Sequence, residues 1–495
     1  QQDRSILRCP IRTSIAMNFL LSFIQKCSIL FLLSSTDAEN ALDWKRVEKI
    51  EKGAASRQFG FDTCMNHNGT VIAIASLQLN TSTEDLYSGI VSVYFESNEG
   101  LWSQLGADIV LSSETIAWTG DGVVSLNEDG DILAIGTSYE ILDKGQVRLM
   151  QYNDASDIWI TKGQIIDGTV DGERFGASVE LSADGNVLAI GSPFYSESEE
   201  MIMVGRVSVW NYIEDTDEWD LSFDIVGEAA FDESGLSIAL SSNSSRLAIG
   251  AMGNNGSSHD AGHIRVYDID SHKKIWNKIG SDIDGESALD WFGSTAISSD
   301  GEIVAVGAKG SDGQEGNIFM NKGHVQIYQL TEEYGWAKIW FEIQGENRND
   351  FSGGKLDLNN DGSRLIIGAE SNDGDGTQVD AGHARVFDLT QNGWVQLGFD
   401  INGENSVNLF GSSVCINDNG TRILVGAPRY GKDANGAIYI YDLKEKSLLA
   451  DPPINPPDRS PPTSSGFSPF EVAKKTAFLN VASMFFLLLL PFNVL

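Results

Sequence analysis

Aromatic side chains in the loops are the residues whose type best suits ligand binding. Aspartates stand in the same group of loops: Asp290, Asp312, Asp350, Asp373 and Asp375. An aromatic ring can stack on a sugar or anchor a protein partner, and it can equally cap the end of a strand. The candidate ligand-binding residues are Tyr139, Phe194, Tyr195, Trp291, Phe319 and Tyr430.

Patterns that would indicate catalysis are missing from the sequence. It contains no nucleophile elbow, no His-Glu-x-x-His, no P-loop and no dinucleotide-binding glycine pattern in context. The polar residues that do recur stand at repeated positions, which predicts a scaffold role for them: His263, His324, His383, and the Gly-Glu residues Glu173, Glu228, Glu286, Glu346 and Glu404. We therefore assign no catalytic residue. A pair of loop carboxylates that hydrolyses a glycosidic bond is the alternative.

A sequence unit of about 58 residues recurs seven times along the chain. Repeats of this length are typical of arrays and propellers. Each unit has an alternating apolar run, a tight turn, a Leu-Ala-Ile-Gly-like run, and two further alternating runs. The turns are Asn68-Gly69, Asp129-Gly130, Asp184-Gly185, Asn243-Ser244, Asp300-Gly301, Asp361-Gly362 and Asn419-Gly420. An Asp-Gly between alternating runs predicts a hairpin with positive φ at both central residues. The sequence thus predicts an all-β, seven-bladed β-propeller of four-stranded antiparallel blades.

The last unit lacks its fourth strand, because it stops after Tyr441. The other six carry a tryptophan there: Trp102, Trp159, Trp219, Trp276, Trp336 and Trp394. The segment from Asp43 to Ile50 reads like a fourth strand with nothing before it. We expect this N-terminal strand, with Trp44, to complete the last blade and close the ring.

The charge of the chain excludes one class of partner. Its formal net charge is −36. Outside residues 39–446 the chain has seven basic and five acidic side chains, so that segment holds 27 of the 34 basic and 65 of the 70 acidic residues. A surface this acidic predicts no nucleic-acid partner. It is expected to keep a secreted protein soluble, or to attract divalent cations and basic partners.

The two ends of the sequence are interpreted as targeting and membrane-attachment signals. Residues 1–38 form a leader with a signal peptide whose natural start is Met17, and residues 39–446 form the propeller. Residues 447–470 are a Pro/Ser-rich stalk, and residues 471–495 are a hydrophobic membrane anchor or GPI signal. The candidate GPI attachment residues are Ser464, Ser465 and Gly466, and a retained single span is the alternative. The predicted location is the cell surface, reached through the secretory pathway.

Two further sets of residues fit an exoplasmic location. Cys64 and Cys415 lie at equivalent places in the first and last units, which closure makes neighbours, so they form a disulfide or remain two buried free thiols. Five Asn-x-Ser/Thr sequons are candidate glycosylation sites: Asn68, Asn80, Asn243, Asn255 and Asn419.

Phe-Gly pairs open several units whose second strand ends in Gly-Ala or Gly-Ser-Pro. The pairs are Phe59-Gly60, Phe175-Gly176, Phe292-Gly293 and Phe410-Gly411. In this the chain resembles the FG-GAP repeat, which builds the seven-bladed propeller at the head of integrin α subunits. The resemblance implies the same fold for residues 44–445 and suggests a role in recognition or adhesion.

Several repeats of that family carry a calcium loop, and the resemblance extends in part to one stretch here. Asp357, Asn359 and Asp361 match three of its oxygen ligands, but Leu365 stands where the loop closes with an aspartate. Asp373 and Asp375 are a second candidate pair in a glycine-rich loop. No cofactor is required by this interpretation, and calcium is the one metal that it offers.

The favoured hypothesis is an extracellular, membrane-anchored recognition protein that binds a protein or glycan through one loop face, without catalysis. The rival classes are a propeller-type carbohydrate hydrolase or lyase and a structural cell-surface coat protein. Variable loops on a rigid scaffold favour the first.

Overall fold

The structure is a computed structural model that describes residues 42–53, 56–79, 87–111, 124–138, 144–270, 275–312, 320–333, 335–373 and 378–445. All regular structure in these residues is β-strand, and the strands form seven antiparallel sheets. The innermost strand of each sheet contacts that of the next, and the cycle closes between the last and the first sheet. The predicted all-β seven-bladed propeller is confirmed.

The first blades follow chain order. The chain enters through β1 (Leu42–Glu51). Blade 1 comprises β2 (Ser56–Met65), β3 (Val71–Leu79), β4 (Tyr87–Glu96), β5 (Trp102–Gln104) and the short β6 (Ile109–Val110). Blade 2 comprises β7 (Val124–Leu126), β8 (Ile132–Thr137), β9 (Gln146–Asn153), β10 (Ile158–Thr161) and β11 (Ile166–Asp167). Blade 3 comprises β12 (Ser178–Leu181), β13 (Val187–Ser192), β14 (Arg206–Ile213) and β15 (Glu218–Val226).

The remaining blades repeat this order. Blade 4 comprises β16 (Ser237–Leu240), β17 (Arg246–Ala251), β18 (His263–Asp270), β19 (Ile275–Lys278) and β20 (Ile283–Asp284). Blade 5 comprises β21 (Phe292–Ile297), β22 (Ile303–Ala308), β23 (His324–Thr331), β24 (Gly335–Lys338) and β25 (Ile343–Gln344). Blade 6 comprises β26 (Lys355–Leu358), β27 (Arg364–Ala369), β28 (His383–Thr390), β29 (Gly393–Gln396) and β30 (Ile401–Asn402). Blade 7 comprises β31 (Ser413–Ile416), β32 (Arg422–Ala427) and β33 (Ala437–Glu445).

The turn between the first two strands of each blade is fixed by short local hydrogen bonds. In blade 3 the backbone N–H of Gly185 donates to Ser182 O at 2.9 Å, and the N–H of Val187 donates to the Ser182 hydroxyl at 2.9 Å. Gly185 has φ +69°, but Asp184 is not among the residues with positive φ. The hairpin was predicted correctly and its turn geometry was not, because a serine side chain replaces the second left-handed residue as the closing element.

A glycine in the second strand of six of the seven blades explains the Leu-Ala-Ile-Gly-like runs, and blade 1 has Ala75 at this position. A Cβ built on Gly191 would lie 2.1 Å from Gly235 O, in the innermost region of the next blade. No side chain fits that distance, so the glycine lets neighbouring sheets approach closely. One buried apolar cluster fills each of the seven seams between blades.

The N-terminal strand closes the ring as predicted. β1 pairs antiparallel with β33, with Trp44 opposite Leu443. Trp44 is 7% exposed, and its indole N–H donates to Leu397 O of blade 6 at 3.1 Å. The same bond to the preceding blade is made by the fourth-strand tryptophans Trp159, Trp219 and Trp336. β1 therefore occupies the fourth-strand position of blade 7.

The ring has two unlike faces. The turn face carries the hairpins between first and second strands, and the loop face carries the connections into each first strand and between second and third strands. Backbone hydrogen bonds on the turn face join six of the seven seams: Ser299 N to Asn360 O, Asn360 N to Asp418 O, Asp418 N to His67 O, His67 N to Glu128 O, Glu128 N to Ala183 O and Ala183 N to Ser242 O. This belt fixes the turn face, whereas the loop face is where the chain varies.

Candidate ligand-binding site

Six residues around the loop face share an unusual backbone conformation. Each stands directly before the Phe-Gly or Ser-Gly pair that leads into a first strand, and each has φ between +50° and +56°: Gln58, Arg174, Glu233, Trp291, Phe351 and Leu409. Side-chain-bearing residues rarely adopt this region, so the surrounding structure must hold them there. The same backbone thus presents six different side chains at equivalent places around the ring.

Hydrogen bonds from the neighbouring loop hold these residues. Trp291 N donates to Asp260 O at 3.3 Å, and Phe351 N donates to Asn321 O at 3.1 Å. The accepting residues are left-handed as well, with φ +49° at Asp260 and +44° at Asn321. Where the structure describes both partners, the loop between second and third strands is therefore clamped to the connection beside it. The clamps make this face a rigid frame for variable side chains.

Two cavities open on this face, and we call the cavities and their lining residues the mouth. One of about 400 Å³ is lined by residues of blades 5, 6, 7 and 1, and one of about 530 Å³ by residues of blades 4 and 5. Trp291 and Lys309 line both cavities. These volumes fall in the range of small-molecule sites. The mouth is where the geometry best supports ligand binding.

The indole of Trp291 packs directly against Gly310. A Cβ built on Gly310 would lie 2.2 Å from Leu289 O and 2.9 Å from Cε3 of Trp291. Gly310 N donates to the carbonyl oxygen of the buried Asp290 at 3.0 Å. The indole is thus held by close contact with the backbone of Gly310, and Lys309 directly precedes this glycine.

The charges of the mouth differ from those of the rest of the ring. The first cavity is lined by three cationic side chains, Lys309, Lys355 and Arg429, and one carboxylate, Glu370. The second cavity adds Glu233 and Asp260. Burial raises the pKa of Glu233, and the positive charges of Arg174 and Lys309 oppose that shift. The mouth therefore combines aromatic surface with both signs of charge.

Below the mouth, a third cavity of about 310 Å³ occupies the central channel. One residue from each first strand, at the same register position, lines it: Cys64, Ser125, Glu180, Ala239, Ala296, Asp357 and Cys415. Burial, followed by the charge of Asp357, raises the pKa of Glu180 to about 8. Burial raises the pKa of Asp357 to about 7. These two carboxyls belong to blades 3 and 6, on opposite sides of the ring.

The predicted ligand-binding aromatics do not all reach the mouth. Trp291 lines both cavities, whereas three others lie under cations of the protein itself. The Arg174 guanidinium is 4.1 Å from the Phe194 ring centre, that of Arg206 is 4.3 Å from Tyr195, and Lys49 Nζ is 3.6 Å from Tyr430. Tyr139 and Phe319 lie outside the described residues. The capping interpretation fits Phe194, Tyr195 and Tyr430 better than ligand contact does.

The described candidate calcium ligands take part in hydrogen bonds within the protein. Asp357 Oδ2 accepts from Ile416 N at 2.9 Å, and Asp361 Oδ1 accepts from Asn359 Nδ2 at 2.9 Å. Asp373 Oδ1 accepts from Asp380 N at 3.0 Å, and Asp375 is outside the described residues. None of them belongs to the clusters of metal-ligating atoms found in the described part of the chain. Calcium binding stays a prediction.

Those clusters lie elsewhere and already contain a cation. They are Glu228, His263 and Asp282 in one seam, and Glu346, His383 and Asp400 two blades further on. Arg265 pairs with both Glu228 and Asp282, and Arg385 pairs with Glu346. Burial lowers the pKa of His383 to about 4, so this histidine is neutral at pH 7. The scaffold role of the recurrent histidines and Gly-Glu glutamates stays a prediction. Glu173 stands three residues before its repeat glycine, whereas the other four glutamates stand seven residues before theirs.

The thiols and sequons can be placed. Cys64 and Cys415 are free thiols, so the disulfide alternative is not formed in this structure. Cys415 Sγ donates to Thr63 O at 2.9 Å across the closing seam. The described sequon asparagines are all exposed: Asn68, Asn243 and Asn419 on the turn face and Asn255 on the loop face. Asn80, Ser464, Ser465 and Gly466 lie outside the described residues, as do the predicted leader, stalk and tail.

Sequence reasoning missed most of the mouth. Lys309, Lys355 and Arg429 follow or begin strands at positions where other blades carry unrelated residues, so no repeat marks them. Phe231 and Phe351 precede the repeated glycine, and Phe231 is 52% exposed. A large apolar residue immediately before the Phe-Gly position is the signal that could have found Phe351.

Comparisons with known proteins give no family. Neither a scan against protein-family models nor a search of curated proteins found a match, so the FG-GAP resemblance rests on its motifs alone. Among solved structures, hydrazine synthase of Kuenenia stuttgartiensis is similar at 12% identity, over 81% of this chain and 98% of that one, with a TM-score of 0.48. The periplasmic gluconolactonase of Pseudomonas aeruginosa is similar at 13% identity, over 74% and 96%, with a TM-score of 0.46. No activity is transferred from either. No helix in the described residues is long and apolar enough to cross a membrane.

Proposed function

We propose that this protein is an extracellular recognition protein that binds a protein or glycan ligand at the mouth, without turning it over. One observation carries the proposal: a rigid ring of left-handed residues presents Trp291 between two adjacent cavities. Aromatic side chains held at low entropic cost are the usual anchors of recognition sites. An extracellular location is part of the proposal and is supported by the leader and C-terminal tail predicted from the sequence, and the FG-GAP resemblance suggests adhesion as the biological setting.

The described sequons lie on both faces of the ring. Asn68, Asn243 and Asn419 share one hairpin position on the turn face. Glycans attached there would cover that face. Asn255 lines the second cavity, so a glycan at this fourth described sequon would instead lie at the mouth.

Screening the purified chain on glycan and protein arrays, with and without calcium, tests the proposal. The wild type is expected to retain a ligand that Trp291→Ala loses, while Phe341→Ala, on a side chain 91% exposed, leaves binding unchanged. If the wild type retains nothing, or if Trp291→Ala binds as the wild type does, the proposed site is wrong.

A second candidate function is carried by the channel carboxyls. Carboxyl groups with raised pKa values facing a cavity are candidate acid and base groups, and a carbohydrate hydrolase or lyase is the reaction class to which such a pair belongs. Hydrolysis of an array ligand that is abolished by Glu180→Gln and by Asp357→Asn separately would establish it. A ligand recovered chemically unchanged after prolonged incubation would exclude it.

A further inference from the structure

The first cavity of the mouth gathers positive charge on a strongly negative ring. Residues 39–446 carry 27 basic and 65 acidic side chains, yet three of the four charged residues lining the first cavity are cationic. Five arginines elsewhere in the ring are paired with carboxylates: Arg206, Arg265, Arg364, Arg385 and Arg422. The composition of the ring, with its net negative charge, does not explain this local excess of cations.

Lys309 is a partly buried cation with no ion pair in the described part of the chain, although its charge acts on Glu233, which lines the same second cavity. It lines all three cavities and forms no ion pair or side-chain hydrogen bond with any residue that the structure describes. It is only partly exposed, because it follows the end of β22 and sits directly before the glycine that seats Trp291. A partly buried ammonium group beside an aromatic ring is well placed to bind an anion that the protein itself does not supply.

We propose that the ligand of the mouth is an anionic saccharide, whose acidic group binds Lys309 while a sugar ring stacks on Trp291. This inference rests on the proposed function, because it names the ligand class of the same site. Both contacts are made at the wall shared by the two cavities. A carboxylate or a sulfate on the sugar would serve equally as the acceptor for the Lys309 ammonium.

The cavities favour a saccharide over an acidic peptide. Their volumes of about 400 and 530 Å³ suit small rings, and Phe351 in one and Phe231 in the other extend the aromatic lining on either side of Trp291. A protein partner would instead need a contact area near 800 Å² per side. Two ring-sized cavities joined at one indole fit consecutive sugars of a chain.

The channel limits how deeply an anion can enter. Asp62, Glu180 and Asp357 line the cavity below the mouth. Negative carboxylates there repel an acidic group, and protonated ones offer it no positive charge. The acidic group is therefore expected to stay at Lys309, while Lys355 and Arg429 contribute longer-range attraction.

The test compares the binding of an acidic saccharide with the binding of its uncharged counterpart. Calorimetry of the full-length chain would use oligogalacturonate and its methyl ester of equal length, dextran sulfate and unmodified dextran, and poly-glutamate. Binding is expected for oligogalacturonate or dextran sulfate, with the uncharged counterpart about 10-fold weaker or more. The two acidic arms distinguish a carboxylate from a sulfate ligand. The affinity should fall as salt is raised.

Lys309→Gln should weaken binding of the acidic saccharide about 10-fold and leave the neutral counterpart unchanged. Lys444→Gln removes the same charge from β33 near the turn face and should have no effect. Equal binding of acidic and neutral probes, an unaffected Lys309→Gln variant, or a preference for poly-glutamate would overturn the inference while leaving the mouth as the site. Loss of the proposed function itself would appear separately, as array binding that does not depend on Trp291.

Discussion

Glu180 is a carboxyl whose environment makes the stability of the ring depend on pH. Its folded pKa of about 8 lies above that of the unfolded chain, so the folded state holds a proton that the unfolded state releases. This contribution is present below the unfolded pKa, near 4, and is lost progressively as pH rises through 8. Asp357, with a folded pKa of about 7, acts in the same direction.

Glu180→Gln is therefore expected to raise the free energy of unfolding at pH 9 by about 1–3 kcal/mol and to change it little at pH 4. Denaturant titrations at both pH values measure the effect. Glu302→Gln, at an exposed site, is the matched control and should be neutral at both. A variant as stable as the wild type at pH 9 would show that water in the channel solvates the carboxylate.

At the scale of single residues, the sequence predicted what a repeat or a residue type reveals. Trp291 was a candidate because an aromatic in a variable loop is a recognition signal, and it lines both cavities of the mouth. Lys309 was missed because its position, after the second strand, holds Pro193, Met252 and Pro428 in other blades. Its role depends on three cavities meeting at one side chain, which is a property of the folded ring rather than of local sequence.

Among the described elements, β1 pairs with the strand most distant from it in sequence, β33. Trp44→Ala removes a buried indole and its bond to Leu397 O, and should lower the free energy of unfolding by about 3–5 kcal/mol. Thermal or denaturant unfolding measures it, with Phe341→Ala as the exposed aromatic control. A loss no larger than that of the control would mean that β1 does not hold the ring closed.

The loop carrying Lys309 depends on Gly310. Because a methyl group there would meet Leu289 O at 2.2 Å and the Trp291 ring at 2.9 Å, Gly310→Ala should cost more than about 2 kcal/mol and displace the indole. Gly53→Ala, at a glycine with nothing within 4 Å, should be neutral. The Trp291 fluorescence and the unfolding midpoint report the two effects. An unchanged fluorescence and an unchanged unfolding midpoint for Gly310→Ala would contradict the close contact between Gly310 and Trp291.

The strands and the closure of the ring were predicted more completely than the turns and loops that connect the strands. Seven tryptophan positions, six in order and one displaced to the N-terminus, were sufficient to predict the closure, because a propeller leaves only one place for a leading fourth strand. The left-handed residues before each Phe-Gly pair were not predicted. Their conformation is fixed by a hydrogen bond from a different loop, such as that between Trp291 N and Asp260 O, and no local pattern encodes it.

At the scale of the whole molecule, the net charge works against the compact ring. Residues 39–446 have an excess of 38 acidic over basic side chains, and their mutual repulsion is screened by salt. Raising NaCl from about 20 mM to about 500 mM should therefore raise the thermal midpoint by a few degrees. Sucrose at equal osmolality controls for solvent exclusion. A midpoint that falls with NaCl would show that paired charges, such as Arg422 with Glu96 and Asp442, outweigh the repulsion.

The central claim is that the mouth on the loop face is the binding site, and a lysine-labelling footprint tests it most directly. The ligand selected on the arrays is added to the chain, and the acetylation rates of individual lysines are followed by mass spectrometry. The account predicts that Lys309 becomes protected while Lys444, near the turn face, reacts at its free rate. Protection of Lys444 with no change at Lys309 would place the ligand on the opposite face and contradict the account.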